Sequence, residues 1–274
     1  MPHSEIIIES GHSEKKYWKD IWQYRELFLI LSWRDIRVRY KQTVIGAAWS
    51  IVRPLLTMII FTFVFNRIAR LPAEGETPYA IMVFAGLLPW YFFANSLSEA
   101  SQSLILNANL ITKVYFPRII IPSSSIIVNL VDFFISFGLL LILMVGYQFV
   151  PSIKILLLPF FLLLAFLASF GTGLLITALN VKFRDFRFVI PFIVQIGLYI
   201  SPVGFSSSIV PEKWKMVYQL NPIVGIIDGF RWSIIPHQIL DVKGLVVSIM
   251  VTLVLVWSGV TYFRRTERSF ADTI

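Results

Sequence analysis

Residues 156–189 read LLLPFFLLLAFLASFGTGLLITALNVKFRDFRFV. No charge interrupts the run from Leu156 to Leu179. As a helix it is about 36 Å long, enough to cross a bilayer core of about 30 Å. Lys182, Arg184, Asp185 and Arg187 then crowd into the segment Asn180–Val189, NVKFRDFRFV. The apolar sequence resumes at once as IPFIVQIGLYISPVGF, Ile190–Phe205. A charged insert between two such walls must lie in water, so the chain turns there at a membrane surface. This reading makes the protein an all-α polytopic membrane protein.

Composition agrees. Of the 274 residues, 57% are hydrophobic and only 15% charged, where a soluble domain carries about 25% charged. Lys and Arg number 24 against 16 Asp and Glu, a net charge of +8. Because the basic residues flank apolar spans, they read as membrane orientation and not as a nucleic-acid surface. There is no cysteine, which excludes a disulfide framework, a thiol nucleophile and a zinc–thiolate site. The amino-terminal MPHSEIIIESGHSEKKYWKD lacks the apolar core of a signal peptide, so insertion is expected to begin with the first span.

Working outward, residues 1–20 read as a flexible tail. Residues 21–46 read as an amphipathic helix in the cytosolic membrane interface. Trp33, Ile36 and Tyr40 recur at helical spacing, with Arg34, Arg37 and Lys41 one position later. Asp35 and Arg39 are spaced to pair at i, i+4. Residues 47–274 form a single transmembrane domain with six spans, at about 49–65, 79–98, 119–147, 155–179, 188–205 and 244–263. Pro89 is expected to kink the second. Residues 206–240 are broken by Pro211, Pro222 and Pro236 into apolar pieces of about 10 residues, too short to span. They read as re-entrant or interfacial helices, buried in protein or beside water. With six spans both termini share a side, and that side holds seventeen of the 24 basic residues. The asymmetry places both termini, and the segments 107–117 and 180–188, in the cytosol.

Catalytic patterns are missing. His3, His12 and His237 lie far apart, and there is no HExxH, GxSxG or GxxxxGK[ST]. No catalytic, cofactor or metal residue is therefore assigned, and the chain reads as a conduit. Asp132, with Asn129 one turn earlier, is a charge inside the third span, divided between a structural contact and a pathway role. Glu99 reads as an inexpensive interfacial carboxylate. Phe61, Phe65, Trp90, Phe93 and Tyr199 are candidates to line a channel, since rings stack on the C–H faces of sugars. Membrane aromatics more often face lipid or interface. Gly171–Gly173 (GTG) and Gly225–Gly229 (GIIDG) suit close helix packing.

The blocks WRDIRVRYKQTVIGAAWSIVRP, FAGLLPWYFFANSL, LITKVYFPRIIIPSSS, LNVKFRDFRFVIPF, YISPVGFS and LNPIVGIIDGFRW together resemble the membrane subunit of type 2 ABC exporters of polysaccharide. That group includes the O-antigen and teichoic acid permeases, and the resemblance runs from about Leu31 onward. It implies a homodimer in the inner membrane, enclosing a channel for lipid-linked polysaccharide such as that used in lipopolysaccharide biosynthesis. It implies two copies of a separate nucleotide-binding subunit, which would use ATP and Mg. On this resemblance, Asn107, Lys113, Phe183, Arg184, Asp185 and Arg187 contact the ATPase. Trp33, Arg34, Arg37, Tyr40 and Lys41 brace the cytosolic entrance. Pro222, Gly225, Asp228 and Gly229 belong to an outer gate. A positively charged surface turn would explain the basic residues of the decapeptide, but not Asp185 among them or the interleaved Phe183, Phe186 and Phe188. Export of teichoic acid, a small lipid or a drug is an alternative, and a passive channel or secondary carrier is another.

Overall fold

A computed structural model describes residues 14–41, 46–267 and 270. Thus residues 1–13 of the expected tail, including His3 and His12, lie outside the described residues. So do residues 42–45 of the interface region and Arg268 of the basic end. Among the described residues every regular element is helical. The expected tail is helical from Glu14: α1 spans Glu14–Gln23 and α2 spans Arg25–Lys41. Helical hydrogen bonds run across their junction, from Tyr24 N to Asp20 O (3.0 Å) and from Phe28 N to Tyr24 O (3.1 Å). The protein-facing side is set by Tyr24, Leu27, Phe28, Leu31 and Ser32, at helical spacing. Ile36 and Tyr40 follow that side, but Trp33 does not. It is 59% exposed and turned out beside Arg34 and Arg37.

Five helical stretches are long and apolar enough to cross a membrane: Ala48–Ile68, Tyr79–Leu106, Ile120–Gly146, Ile153–Lys182 and Val242–Thr266. They contain α3 (Gly46–Phe61, continued by a π-helical Thr62–Ile68), α4 (Tyr79–Leu106), α6 (Ile120–Gly146), α7 (Leu158–Lys182) and α11 (Val242–Thr266). A short α5, Ala108–Lys113, follows α4. The expected fifth span is shorter than anticipated. Its helix α8 covers only Phe186–Ile200, about 22 Å, and Ser201–Ser206 continues as irregular backbone. Residues 206–240 hold two short helices, α9 (Glu212–Gln219) and α10 (Pro222–Ile234). Pro222 sits in the first turn of α10, where no N–H is required, and the Asn221 side chain accepts from Ile223 N.

Helix α4 is the hub. In its apolar window 83% of the residues are buried, and Pro89 lies inside the helix without ending it. Phe84, Phe92, Phe133, Phe161 and Phe230 join α4, α6, α7 and α10 into the larger core. Helices α7 and α11 meet backbone to backbone. A Cβ on Gly171 would lie 2.5 Å from Val256 N, and one on Gly259 would lie 2.2 Å from Gly171 O. The close packing expected of GTG is present at Gly171. Lipid offers no hydrophobic drive between helices, so such contacts and polar ties hold the bundle. Thr177 Oγ1 donates to Ala100 O (2.7 Å) and Asn180 Nδ2 donates to Ser101 O (2.8 Å).

Hydrogen bonds identify which loops share an end. Arg34 Nη2 donates to Asn107 Oδ1 (3.0 Å), and Arg118 N donates to Glu267 Oε1 (2.6 Å). One end of the bundle therefore gathers α2, α5 and the close of α11. At the other end, Ser152 N donates to Ile234 O (3.0 Å) and Gly225 N donates to Ser248 Oγ (3.2 Å), bringing α10 to the starts of α7 and α11.

Candidate functional site

The last turns of α2 carry a basic residue into a polar cluster between α3, α4 and α6. Arg39 Nη1 donates to Asp132 Oδ2 at 2.7 Å and to Asn129 Oδ1 at 3.3 Å. Arg39 Nη2 donates to Glu99. Asp132 also accepts from Tyr40 OH and from Ser50 Oγ, the latter at 2.6 Å. Asn129 Nδ2 closes the ring on Glu99 Oε2 at 3.0 Å. Burial and the adjacent Asp132 carboxylate push the Tyr40 phenol above its ordinary range, so it remains a donor. The expected Asp35–Arg39 pair does not form. Asp35 is held by Arg34 at 2.8 Å, while Arg39 is drawn to two carboxylates in a drier setting. Glu99, read as a bystander, is a principal partner. Asp132 serves as a structural contact, and it lines a cavity of about 280 Å³ with Arg53, Trp49, Tyr91 and Asn95.

The same end presents two exposed elements. Asn107 joins α4 to α5, with its Nδ2 on Ser103 O (2.9 Å) and its Oδ1 on Arg34. Lys113 ends α5 and is exposed. The turn between α7 and α8 exposes Lys182, Phe183, Arg184, Asp185 and Arg187 together. Lys182 lies over the Phe183 ring (5.2 Å) and Arg187 over the Phe188 ring (4.6 Å). No ion pair among the described residues involves these four charges. The turn is thus an exposed, charged and aromatic segment.

At the opposite end α10 is packed tightly. A Cβ at Gly225 would lie 2.3 Å from Ser248 Oγ of α11, and one at Gly229 would lie 2.0 Å from the Phe161 ring of α7. The small residues of GIIDG therefore bring α10 against both helices. Between them Asp228 faces a cavity of about 700 Å³, also lined by Glu74, Ser207, Gln238 and Asp241. Burial raises the Asp228 carboxyl to about 6, partly offset by the nearby Ser207 side chain and Arg231. Arg231, one turn on, is fully buried and reaches three backbone carbonyls: Met82 (3.2 Å), Phe205 (2.7 Å) and Val203 (2.7 Å). Glu74 Oε1 stands 3.7 Å from its Nη1. Sequence reading passed over Arg231 as one more charge on the minority side. Its signal was there: a single cation inside the apolar run Gly229–Ile235.

The aromatic candidates divide. Phe61 (5% exposed) and Trp90 (4%) are core residues, Phe65 and Phe93 are half-buried, and Tyr199 is 58% exposed. Phe61 touches both Phe65 (5.2 Å) and Tyr199 (5.9 Å), so α8 is seated on the α3 segment by rings.

Comparison with known proteins gives the family. The chain is 26% identical over 258 residues to an O-antigen export system permease protein, RfbA, of Myxococcus xanthus, covering 93% of this chain and 98% of that protein. It is 27% identical to an RfbA of Klebsiella pneumoniae, covering 91% and 95% of the two chains. It is 22% identical to the polysialic acid transport protein KpsM of Escherichia coli, covering 86% and 92%. The family profile for ABC-2 type transporters matches residues 26–235, from the start of α2 to the end of α10. The chain belongs to the ABC-2 type transporter family of membrane proteins.

Proposed function

We propose that this chain is the membrane subunit of an ATP-driven exporter that moves a lipid-linked, O-antigen-like polysaccharide out of the cytosol. The observation that carries this reading is end-to-end similarity to O-antigen export permeases, with both chains almost fully covered. The charge asymmetry supports placing the α2–α5 end and both termini in the cytosol. The chain has no phosphate-binding loop of its own, so ATP and Mg belong to a separate subunit. That subunit docks on α5 and the turn Phe183–Arg187, whose exposed charges form no ion pair among the described residues. Two copies of the chain enclose the passage, one ATPase subunit beneath each. Closure of the ATPase pair on ATP presses on the turn, and the displacement enters α8. Helix α2, pinned through Arg39, braces the entrance, and α10 forms part of the outer gate. Walls rich in rings and poor in charge suit a polymer in transit, since tight binding at any step would stall it.

Reconstitution with a candidate nucleotide-binding subunit tests the reading. Arg184→Glu combined with Arg187→Glu is expected to leave membrane assembly intact while lowering glycan export at least tenfold. Unchanged export in that double variant would refute the docking role of the turn.

A further inference from the structure

Three consecutive carbonyls of the irregular segment that follows α8 are satisfied by side chains from elsewhere. The carbonyls of Val203 and Phe205 accept from Arg231 Nη2 and Nη1, both at 2.7 Å. The intervening Gly204 carbonyl accepts from Tyr79 OH of α4. Backbone freed from a helix at membrane depth must find such partners. Here the principal donor is one guanidinium, whose planar fork reaches several acceptors at once. Its third bond, to Met82 O, fastens the same group to α4. Gly86 makes room for it, since a Cβ there would lie 3.0 Å from Arg231 Nη2.

Within one copy helix α8 is exposed at Pro191–Ile193 and is packed toward its far end, where Gly197 lies against the Trp90 ring and Tyr199 against Phe61. Ile190 is the only one of its 15 residues that is fully buried. Its near end is the charged turn and its far end is clamped. A helix pushed at one end delivers the displacement to whatever grips the other. We propose that Arg231 is the positioning residue through which movement of the Phe183–Arg187 turn reaches α10 and opens the far side of the passage. This step rests on the turn being the ATPase contact. Arg231 touches no substrate. It converts an axial shift of Ser201–Phe205 into a shift of α10, which α7 and α11 hold closely at Gly229 and Gly225.

The experiment uses the full complex of this chain and its ATPase, reconstituted in vesicles, with ATP hydrolysis and glycan export read in parallel. Arg231→Lys keeps the charge but cannot bridge three carbonyls. It is expected to assemble and hydrolyse ATP within about twofold of the parent, while export per ATP falls at least tenfold. Gly86→Ala crowds the guanidinium from α4 without removing it, and is expected to lower export per ATP about threefold. Export per ATP equal to the parent in assembled Arg231→Lys would overturn the proposal. If Arg231→Lys does not assemble, Gly86→Ala decides in the same two directions. The Arg184→Glu, Arg187→Glu variant, run alongside, separates the two claims. If it is inert the ATPase-contact reading fails, whereas if it abolishes export while Arg231→Lys does not, only the Arg231 step fails.

Discussion

At the scale of single residues, the chain keeps ionised groups out of lipid by surrounding each with particular partners. Arg231 has its acceptors in place. Asp228 is less well served, with one carboxylate oxygen lacking any hydrogen-bond partner. Its raised pKa has a direct consequence for stability. The folded protein holds this proton more tightly than the unfolded chain, so the stabilisation is full below about pH 4 and is lost as pH rises through about 6. Thermal unfolding in detergent should therefore move to lower temperature between those pH values. Asp228→Asn should weaken that dependence and at pH 7.5 raise stability by about 1–2 kcal/mol. A wild-type curve flat across the window would contradict this account.

At the scale of elements, Arg39 is the α2 residue that ion-pairs with both α4 and α6. Arg39 bridges carboxylates on α4 and α6 with side-chain exposures of 29%, 34% and 16%, so solvent screens the cluster only in part. Arg39→Ala removes the cation that Glu99 and Asp132 share. After allowance for screening, the expected loss is about 1–3 kcal/mol. It should appear as a lower melting temperature and faster tryptic cleavage at Arg34 and Arg37 of α2. Adding Glu99→Gln and Asp132→Asn removes the stranded charges and should restore most of the melting temperature. If the triple variant melts as low as the single one, the loss is one of packing and not of charge. Much of this element was legible: the helix, its basic face and the importance of Asp132. The pairing was not, because i, i+4 spacing describes one isolated helix. Which carboxylate an arginine chooses depends on what the bundle brings near it.

At the scale of the whole molecule, exposed apolar faces are of two kinds. On α11 the exposed large side chains are Val242, Val246, Met250, Leu253, Val254 and Trp257, a face suited to lipid. On α8, exposed Phe192, Ile193 and Tyr199 stand beside an exposed amide, Gln195, and the neighbouring α3 segment exposes Ile59, Ile60 and Phe63. Hydrocarbon cannot satisfy that amide, which favours a second copy or the passage itself on this side. Because the chain contains no cysteine, single substitutions report cleanly. Ile193→Cys should give a disulfide-linked dimer on mild oxidation in membranes, and Trp257→Cys should not. Equal cross-linking at both positions would remove α8 from the seam between copies.

The sequence by itself determined the class of the molecule, five of its bilayer-length segments and the exposed charged turn that begins at Lys182. These follow from solvation: long apolar runs must leave water and a cluster of four charges must stay in it. It also marked the small residues where helices touch, because only glycine lets backbones meet. Tertiary structure alone decided that α8 stops at Ile200, that Glu99 joins Arg39, and that Arg231 fastens the unwound segment to α10. Those outcomes depend on hydrogen-bond partners far apart in the chain, and no local spacing encodes which distant carbonyl or carboxylate the fold will supply.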